Sequence, residues 1–169
     1  MEYLAGIIKN LFGIDCKIGP HRDGFRLRVY SKLLNVFLEK VFDMPHDQEN
    51  WKTPNLIEEN EISWKWYMSG FFDAEGYFTK PETFLKTGKV KLTFSQNNKE
   101  SLEFIKMALN YFGIKSGKIY LENGRKCHTL QIQAIFDIKR FSEEINLVRK
   151  KKNMAQLLDV FKDPIAGSL

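Results

Sequence analysis

A short pattern that occurs twice constrains the fold of this chain more than any other feature. Leu11-Phe12-Gly13-Ile14 recurs as Tyr111-Phe112-Gly113-Ile114. Each copy ends an amphipathic helical pattern with a glycine, the residue that most easily adopts the left-handed conformation at a helix C-terminus. A hairpin pattern and a second helical pattern follow both copies. The shared order and spacing indicate an internal repeat of helix, hairpin and helix.

The two copies agree in detail. The first is predicted to turn at 21–24 and to continue into a helix over 32–42. The second is predicted to turn at 122–125 and to continue into a helix capped by Asp137. Since all of these strands are joined by short turns, the sheets are predicted to be antiparallel.

The second copy is preceded by additional predicted elements on its N-terminal side. A helix is predicted over 64–75, followed by a hairpin with strands 77–80 and 89–96 that turns through 81–88. The complete C-terminal unit is therefore αββαββα. The predicted fold class is α+β, with a partial αββα repeat before the complete unit.

An acidic segment separates the two copies. Residues 43–61 contain Pro45 and Pro54, six acids and the lone basic residue Lys52, a composition that suits a connector. The predicted organisation is a partial repeat over 1–43, a linker over 44–61 and the complete unit over 62–169.

Composition limits the function classes. Residues 1–67 carry nine Lys or Arg against ten Asp or Glu, whereas the rest carry seventeen against eleven, so the net charge of +5 comes from the C-terminal part. Such a surplus favours a polyanionic partner. With 43% hydrophobic and 14% aromatic residues the chain is not a disordered one. Two cysteines and no long apolar run predict a soluble, intracellular, cytoplasmic protein without a membrane partner.

The predicted strands alternate between apolar and polar residues, and their polar positions contain no acid. Arg26 and Arg28 alternate with apolar residues in the first hairpin, as Gln131 and Gln133 do in the last. Side chains of these types contact phosphates and base edges, and a two-stranded ribbon fits the DNA major groove. The residues predicted to bind DNA are Arg26, Arg28, Lys80, Lys89, Lys91, Thr93, Ser95, Lys118, Arg125, Lys126, Gln131 and Gln133.

Two acids stand where a helix disfavours them. Asp73 and Glu75 occupy the last turn of the predicted helix before Gly76, at the negative end of the helix dipole. Violations of a local rule concentrate at functional sites. Gly70 and Ala74 place two small residues on one face, where a second helix could approach closely and bring another acid to a shared metal.

The segment 68–76, Met-Ser-Gly-Phe-Phe-Asp-Ala-Glu-Gly, resembles the LAGLIDADG motif of homing endonucleases. The αββαββα unit and the segments 52–57 and 94–97 resemble the same family, so the likeness covers nearly the whole chain. The resemblance implies that motif helices form the interface between two halves. It also implies that the last acid of each motif binds divalent metal at the DNA cleavage site.

The resemblance assigns three catalytic residues. Glu75 matches the metal-binding acid, Gln96 matches a polar residue of the metal and water network, and Lys150 resembles the basic residue near the scissile phosphate. The implied cofactor is Mg²⁺ or another divalent cation. The implied activity is hydrolysis of phosphodiester bonds in double-stranded DNA at a long target site.

The chain departs from the family pattern because it has one clear motif. If Tyr3–Ile8 is read as a second motif, Lys9 and Leu11 fall where the acids should stand. The face of Gly70 and Ala74 would be covered by the N-terminal half unit or by a second copy, in a monomer or a homodimer. The alternative function is a catalytically inactive, maturase-like protein that binds DNA or intron RNA. A structural or protein-interaction domain is a third reading.

Overall fold

The computed structural model describes residues 1–21, 24–42, 44, 50–58, 60–124 and 126–162. The chain divides into two compact units, Met1–Met44 and Pro45–Leu169. Within the described residues, no helix is both long enough and apolar enough to cross a membrane.

The first unit is a helix, a hairpin and a helix: α1 (Glu2–Phe12), β1 (Lys17–His21), β2 (Gly24–Arg28) and α2 (Lys32–Phe42). The two strands pair antiparallel along their whole length. Helix α1 ends as expected at Gly13, which has a φ of 68° and donates its amide to the Lys9 carbonyl at 2.8 Å. Leu34 is the only large apolar side chain buried among the described residues of this unit.

The second unit contains six helices and four strands in its described part: α3 (Asn55–Glu58), α4 (Glu61–Glu75), β3 (Tyr77–Phe78), α5 (Pro81–Thr87), β4 (Leu92–Gln96), α6 (Lys99–Tyr111), β5 (Tyr120–Leu121), β6 (His128–Ile132), α7 (Ile135–Glu144) and α8 (Lys151–Val160). The strands form one antiparallel sheet in the order β3-β4-β6-β5.

One face of this sheet and the surrounding helices form the core. Phe94 of β4 is fully buried, and its ring centroid lies 5.1 Å from that of Phe72 in α4. Phe141 of α7 completes the cluster, 5.3 Å from Phe72. Buried aromatic contacts of this kind stabilise beyond their buried area. The C-terminal half of α4 is therefore fixed against the sheet.

The predicted α+β class with antiparallel sheets is confirmed, and the order α1-β1-β2-α2 is the same as α6-β5-β6-α7. That the two segments arose by duplication stays a prediction. The linker and domain boundaries also stay predictions, although Thr53 of that segment is buried and donates its hydroxyl to the Tyr67 hydroxyl at 3.3 Å.

Three local predictions were wrong. The turn predicted over 81–88 contains helix α5, which starts with proline at its first turn and ends at Gly88 with a φ of 65°. The paired strands are consequently shorter than predicted, and Lys89 and Lys91 precede β4. Asp137 does not cap α7. It lies in the first turn, and its carboxylate accepts the Lys115 amide at 2.9 Å.

Candidate functional site

Helix α4 carries the motif and ends in a tightly packed turn. Asn60 caps its start by accepting the Ile62 amide at 2.8 Å. Gly76 follows its last residue and is buried, with an ordinary φ of −72°. A Cβ at this position would overlap the Phe72 ring and carbonyl oxygen. Glycine is therefore required here for space, and it keeps Glu75 directly beside the packed core.

Asp73 is bound to the backbone at the start of another helix. Its carboxylate accepts the amides of Val148 and Arg149 at 2.8 Å each and that of Lys150 at 2.9 Å. These N–H groups immediately precede α8, where a helix has unpaired amides and a positive dipole. Asp73 is thus a structural acid, and its place at the end of α4 is explained by the start of α8.

Lys150 makes the reciprocal contact. Its ammonium donates to the Phe72 carbonyl at 2.6 Å and to the Gly76 carbonyl, at the negative end of α4. Burial lowers the pKa of Lys150, and the nearby Arg149 lowers it further, while the carboxylates of Asp73 and Glu75 act in the opposite direction. Two of the three ammonium protons are used, which leaves one for another acceptor.

Glu75 is the remaining acid of this helix end. It is the last residue of α4, and its side chain is exposed. Its charge acts on the ammonium of Lys150. In the described part of the chain, no three His, Cys, Asp or Glu side chains are grouped so as to hold a metal ion. The residues present therefore fit one protein ligand of a cation that takes its other ligands from water and phosphate, as Mg²⁺ often does.

Gln96 lies on the core side of the sheet. It follows Leu92 and Phe94 in the apolar alternation and is 7% exposed. Its Oε1 accepts the Asn97 amide at 2.7 Å. No described contact joins Gln96 to Glu75 or Lys150, so the structure brings together only two of the three predicted catalytic residues.

The strongest grouping of predicted DNA-binding residues is a groove of about 670 Å³ between α5 and the polar side of the sheet. Lys89 and Lys91 line one part of it, and Gln131 and Gln133 line another. The groove combines two cations with two amides that can donate and accept, which are the groups that bind phosphates and base edges. We call it the basic groove.

The other predicted contact residues are more dispersed. Thr93 is 7% exposed, and its Oγ1 is buried without a hydrogen-bond partner. Ser95 is partly buried, whereas Lys80, Lys118 and Lys126 are exposed. Arg125 lies outside the described residues. In the first unit Arg26 and Arg28 are exposed on β2, and a terminal nitrogen of Arg26 lies 2.6 Å from Nε2 of His21.

Two residues of the polar face were missed by sequence reasoning. Tyr120 accepts a hydrogen bond from Gln131 at 2.6 Å, and Glu122 accepts one from the Thr129 hydroxyl at 3.2 Å. The polar positions of the strands contain no acid, but Glu122 reaches this face from beyond the end of β5. The pairing of Tyr120 with Thr129 could have been found from the hairpin register.

Within the described part of the second unit, no element covers the predicted interface face of α4. Gly70 and Ala74 are exposed, and a Cβ built on Gly70 would meet no atom within 4 Å. Ile62 and Trp66 continue the same i, i+4 series and are 68% and 61% exposed. The residues of this row are apolar, and the two smallest, Gly70 and Ala74, lie nearest to Glu75 along the helix.

Comparison with known proteins gives one family-model match and several similar structures. Residues 65–146 match the family model of the LAGLIDADG-like domain, which confirms the resemblance over this segment. A structure of mesophilic variants of the homing endonuclease I-DmoI is 19% identical, covering 85% of this chain and 72% of that one, with a TM-score of 0.63. A structure of I-DmoI in complex with DNA and Mn is 20% identical, covering 85% of this chain and 70% of that one, with a TM-score of 0.62.

A third similar structure has a different description. Full-length DUF199/WhiA from Thermatoga maritima is 20% identical, covers 97% of this chain and 50% of that one, and has a TM-score of 0.57. No curated protein sequence matches the chain. The fold is thus one that homing endonucleases share with a protein described otherwise.

Proposed function

We propose that this chain binds double-stranded DNA through the basic groove and the polar face of its sheet. The observation that carries the proposal is the convergence of Lys89, Lys91, Gln131 and Gln133 on one groove within a LAGLIDADG-like fold. Lysines supply the phosphate contacts that dominate affinity, and amides supply contacts to base edges. The I-DmoI structures in complex with DNA support this assignment by likeness of fold.

We further propose that the bound DNA is hydrolysed at Glu75. The exposed carboxylate of Glu75 would be one ligand of a divalent cation, Mg²⁺ or a similar ion, and phosphate oxygens and water would supply the others. When bound, the cation activates water and neutralises charge at the phosphate. The metal ions in the I-DmoI structures support this class of cofactor.

The chain's own residues then have distinct tasks. Lys150 keeps one N–H for a phosphate oxygen while its other two protons hold the end of α4. Gln96 is given no task at the metal, because it is buried on the core side of the sheet and no described contact joins it to Glu75 or Lys150. Asp73 holds the backbone that carries Lys150. The proposed chemistry depends most on Glu75.

A second candidate function is binding without cleavage, to DNA or to intron RNA. It is favoured by the single exposed carboxylate of the motif helix and by the lack of a three-ligand cluster among the described residues. A metal site with one protein carboxylate is weak unless a second motif helix contributes another.

Cleavage of a plasmid library in the presence of Mg²⁺ distinguishes the two functions. The endonuclease proposal expects wild-type protein to cut and Glu75→Gln to bind the same DNA without cutting. Retardation of DNA at low salt without any cutting would leave the binding function in place and overturn the endonuclease function. Absence of retardation would overturn both.

A further inference from the structure

The hairpin of the first unit has one strand partner fewer than its counterpart in the second unit. Strand β2 belongs to a two-stranded sheet with β1, whereas β6, which stands in the same order of elements, lies between β5 and β4. Among the described residues, the edge of β2 that faces away from β1 therefore has no strand beside it. A hairpin of two strands is marginally stable in water, so a third strand would stabilise this one.

The register of the hairpin shows which backbone groups point to this edge. Pro20 of β1 pairs with Phe25 of β2. Since proline has no amide, this pair cannot exchange two backbone hydrogen bonds, and the doubly bonded pairs are those beside it, such as Gly19 with Arg26. The amides and carbonyls of Phe25 and Leu27 therefore point away from β1. They offer two donors and two acceptors to a further strand.

The two edges of the hairpin are protected differently. The outer edge of β1 contains Pro20, which cannot donate to an added strand. Strand β2 has no proline, and its protection consists of the exposed side chains of Arg26 and Arg28. Two β2 strands with their apolar sides together would set arginine against arginine, which disfavours pairing with a second copy of the chain. The same charges favour a strand that carries acids.

The two sides of β2 specify the side chains of an added strand. Arg26 and Arg28 are exposed on one side. On the other side Phe25 is 66% exposed, and Ile18, which pairs with Leu27, is 40% exposed. A strand that alternates acidic and apolar residues would satisfy both sides and the backbone edge together. DNA would supply phosphates to the arginines, but it has neither a peptide backbone nor apolar side chains at strand spacing.

We propose that the edge of β2 is a docking site for an extended acidic segment of a partner protein, which adds to the hairpin as a third strand. In this mode of recognition the backbone hydrogen bonds supply affinity and alternate side chains supply specificity. The docked segment alternates Asp or Glu with apolar residues along the five residues of β2. The site lies in the first unit and does not depend on the DNA binding proposed for the basic groove.

Two labelled peptides test the proposal on the full chain. One alternates glutamate and valine, and the other has lysine in place of glutamate. Fluorescence anisotropy should show about 10-fold tighter binding of the acidic peptide, because opposite charges across strands attract and like charges repel. Amide hydrogen exchange should show new protection at Phe25 and Leu27. The amide of Arg26, which is already bonded to β1, should change little.

Reversal of the charges on β2 should reverse the choice of peptide. The double variant Arg26→Glu with Arg28→Glu is expected to bind the basic peptide about 10-fold more tightly than the acidic one. The double variant Lys32→Glu with Lys40→Glu, on exposed residues of α2, changes the net charge equally and is the matched control. It should keep the preference of the wild type for the acidic peptide.

The backbone part of the proposal has its own pair of variants. Phe25→Pro removes an outward amide and no bond to β1, whereas Phe25→Ala removes the same side chain and keeps the amide. The proline variant should bind the acidic peptide about 10-fold more weakly than the alanine variant, since it cannot complete the ladder. Circular dichroism checks that both remain folded, and the charge reversal decides the matter if the proline variant does not.

Three results would overturn the proposal. The first is that wild type binds neither peptide, and the second is that the charge-reversed variant keeps the wild-type preference. The third is that a DNA duplex, or a second copy of the chain detected by light scattering, protects the amides of Phe25 and Leu27 while the acidic peptide does not. DNA binding that depends on Lys89 and Lys91 would be unaffected by any of these results, so the two proposals fail separately.

Discussion

The end of helix α4 and the polar face of the sheet use their polar side chains in opposite ways. At the helix end, Asp73 and Lys150 bond to backbone groups of each other's helices, which leaves Glu75 exposed. On the sheet, Gln131 and Gln133 bond to side chains and still line an open groove. In the proposed function, cleavage thus depends on one carboxylate, whereas DNA recognition depends on many groups. Mutations should separate the two.

The largest expected effect is the loss of cleavage in Glu75→Gln. A bound cation supplies several kcal/mol of transition-state stabilisation, so removing its carboxylate ligand should slow cleavage by about 100-fold or more. DNA affinity and melting temperature should not change, because Glu75 is exposed. Single-turnover cleavage with Mg²⁺ measures the rate. Glu143→Gln, on the exposed surface of α7, is the control, and equal rates for the two variants would remove Glu75 from the chemistry.

Asp73→Ala should lower stability more than any substitution of an exposed acid. Three amides before α8 would lose their acceptor, at a cost of about 2 kcal/mol in the free energy of unfolding. Asp73→Asn keeps one carbonyl oxygen as an acceptor, so its free energy of unfolding should lie between those of wild type and Asp73→Ala. Urea denaturation measures the difference against Asp159→Ala, an exposed acid of α8. If Asp73→Ala is as stable as that control, Asp73 is not the structural acid described above.

The double variant Lys89→Ala with Lys91→Ala tests whether the basic groove binds DNA. Each neutralised phosphate contributes about 0.9 to the slope of log affinity against log salt, so the double variant should lower the slope by about 2. Fluorescence anisotropy with a labelled duplex gives the slope. Two exposed lysines elsewhere, Lys99 and Lys139, provide the control double variant. An unchanged slope in the groove variant would place the DNA outside the basic groove.

The smallest effect concerns the face of α4 that carries Gly70 and Ala74. Gly70 lies within helix α4 and has space for a Cβ. Gly70→Ala should therefore raise the free energy of unfolding by about 0.5–1 kcal/mol. A protein in which a second helix packs closely at Gly70 should instead be destabilised. Thermal denaturation at several protein concentrations, with light scattering, shows which case holds and whether the chain is a monomer or a homodimer.

Local signals made much of the fold predictable. The alternation of apolar and polar residues predicts strands at β2, β4 and β6. Gly13 and Gly113, both with positive φ, follow the C-terminal ends of α1 and α6 as predicted. The same alternation predicts on which side of the sheet Gln96 lies. Gln96 continues the apolar series of Leu92 and Phe94, which is why it is buried.

Longer-range features were harder to infer. Helix α8 is hard to predict because it starts within the basic run 149–152, although its buried residues Met154 and Leu157 follow a helical spacing. The sequence alone shows no partner for Asp73, so its place at a helix end indicates a function, whereas the structure gives it a structural task at α8. A contact across more than seventy residues depends on tertiary packing and has no local signature.

The affinity of the wild-type chain for a random duplex, measured between about 50 and 200 mM salt, tests the central claim most directly. Binding through Lys89, Lys91 and further cations predicts a steep fall, with a log–log slope of about −2 or steeper. The same affinity at both salt concentrations would contradict DNA recognition by the polar face of this sheet.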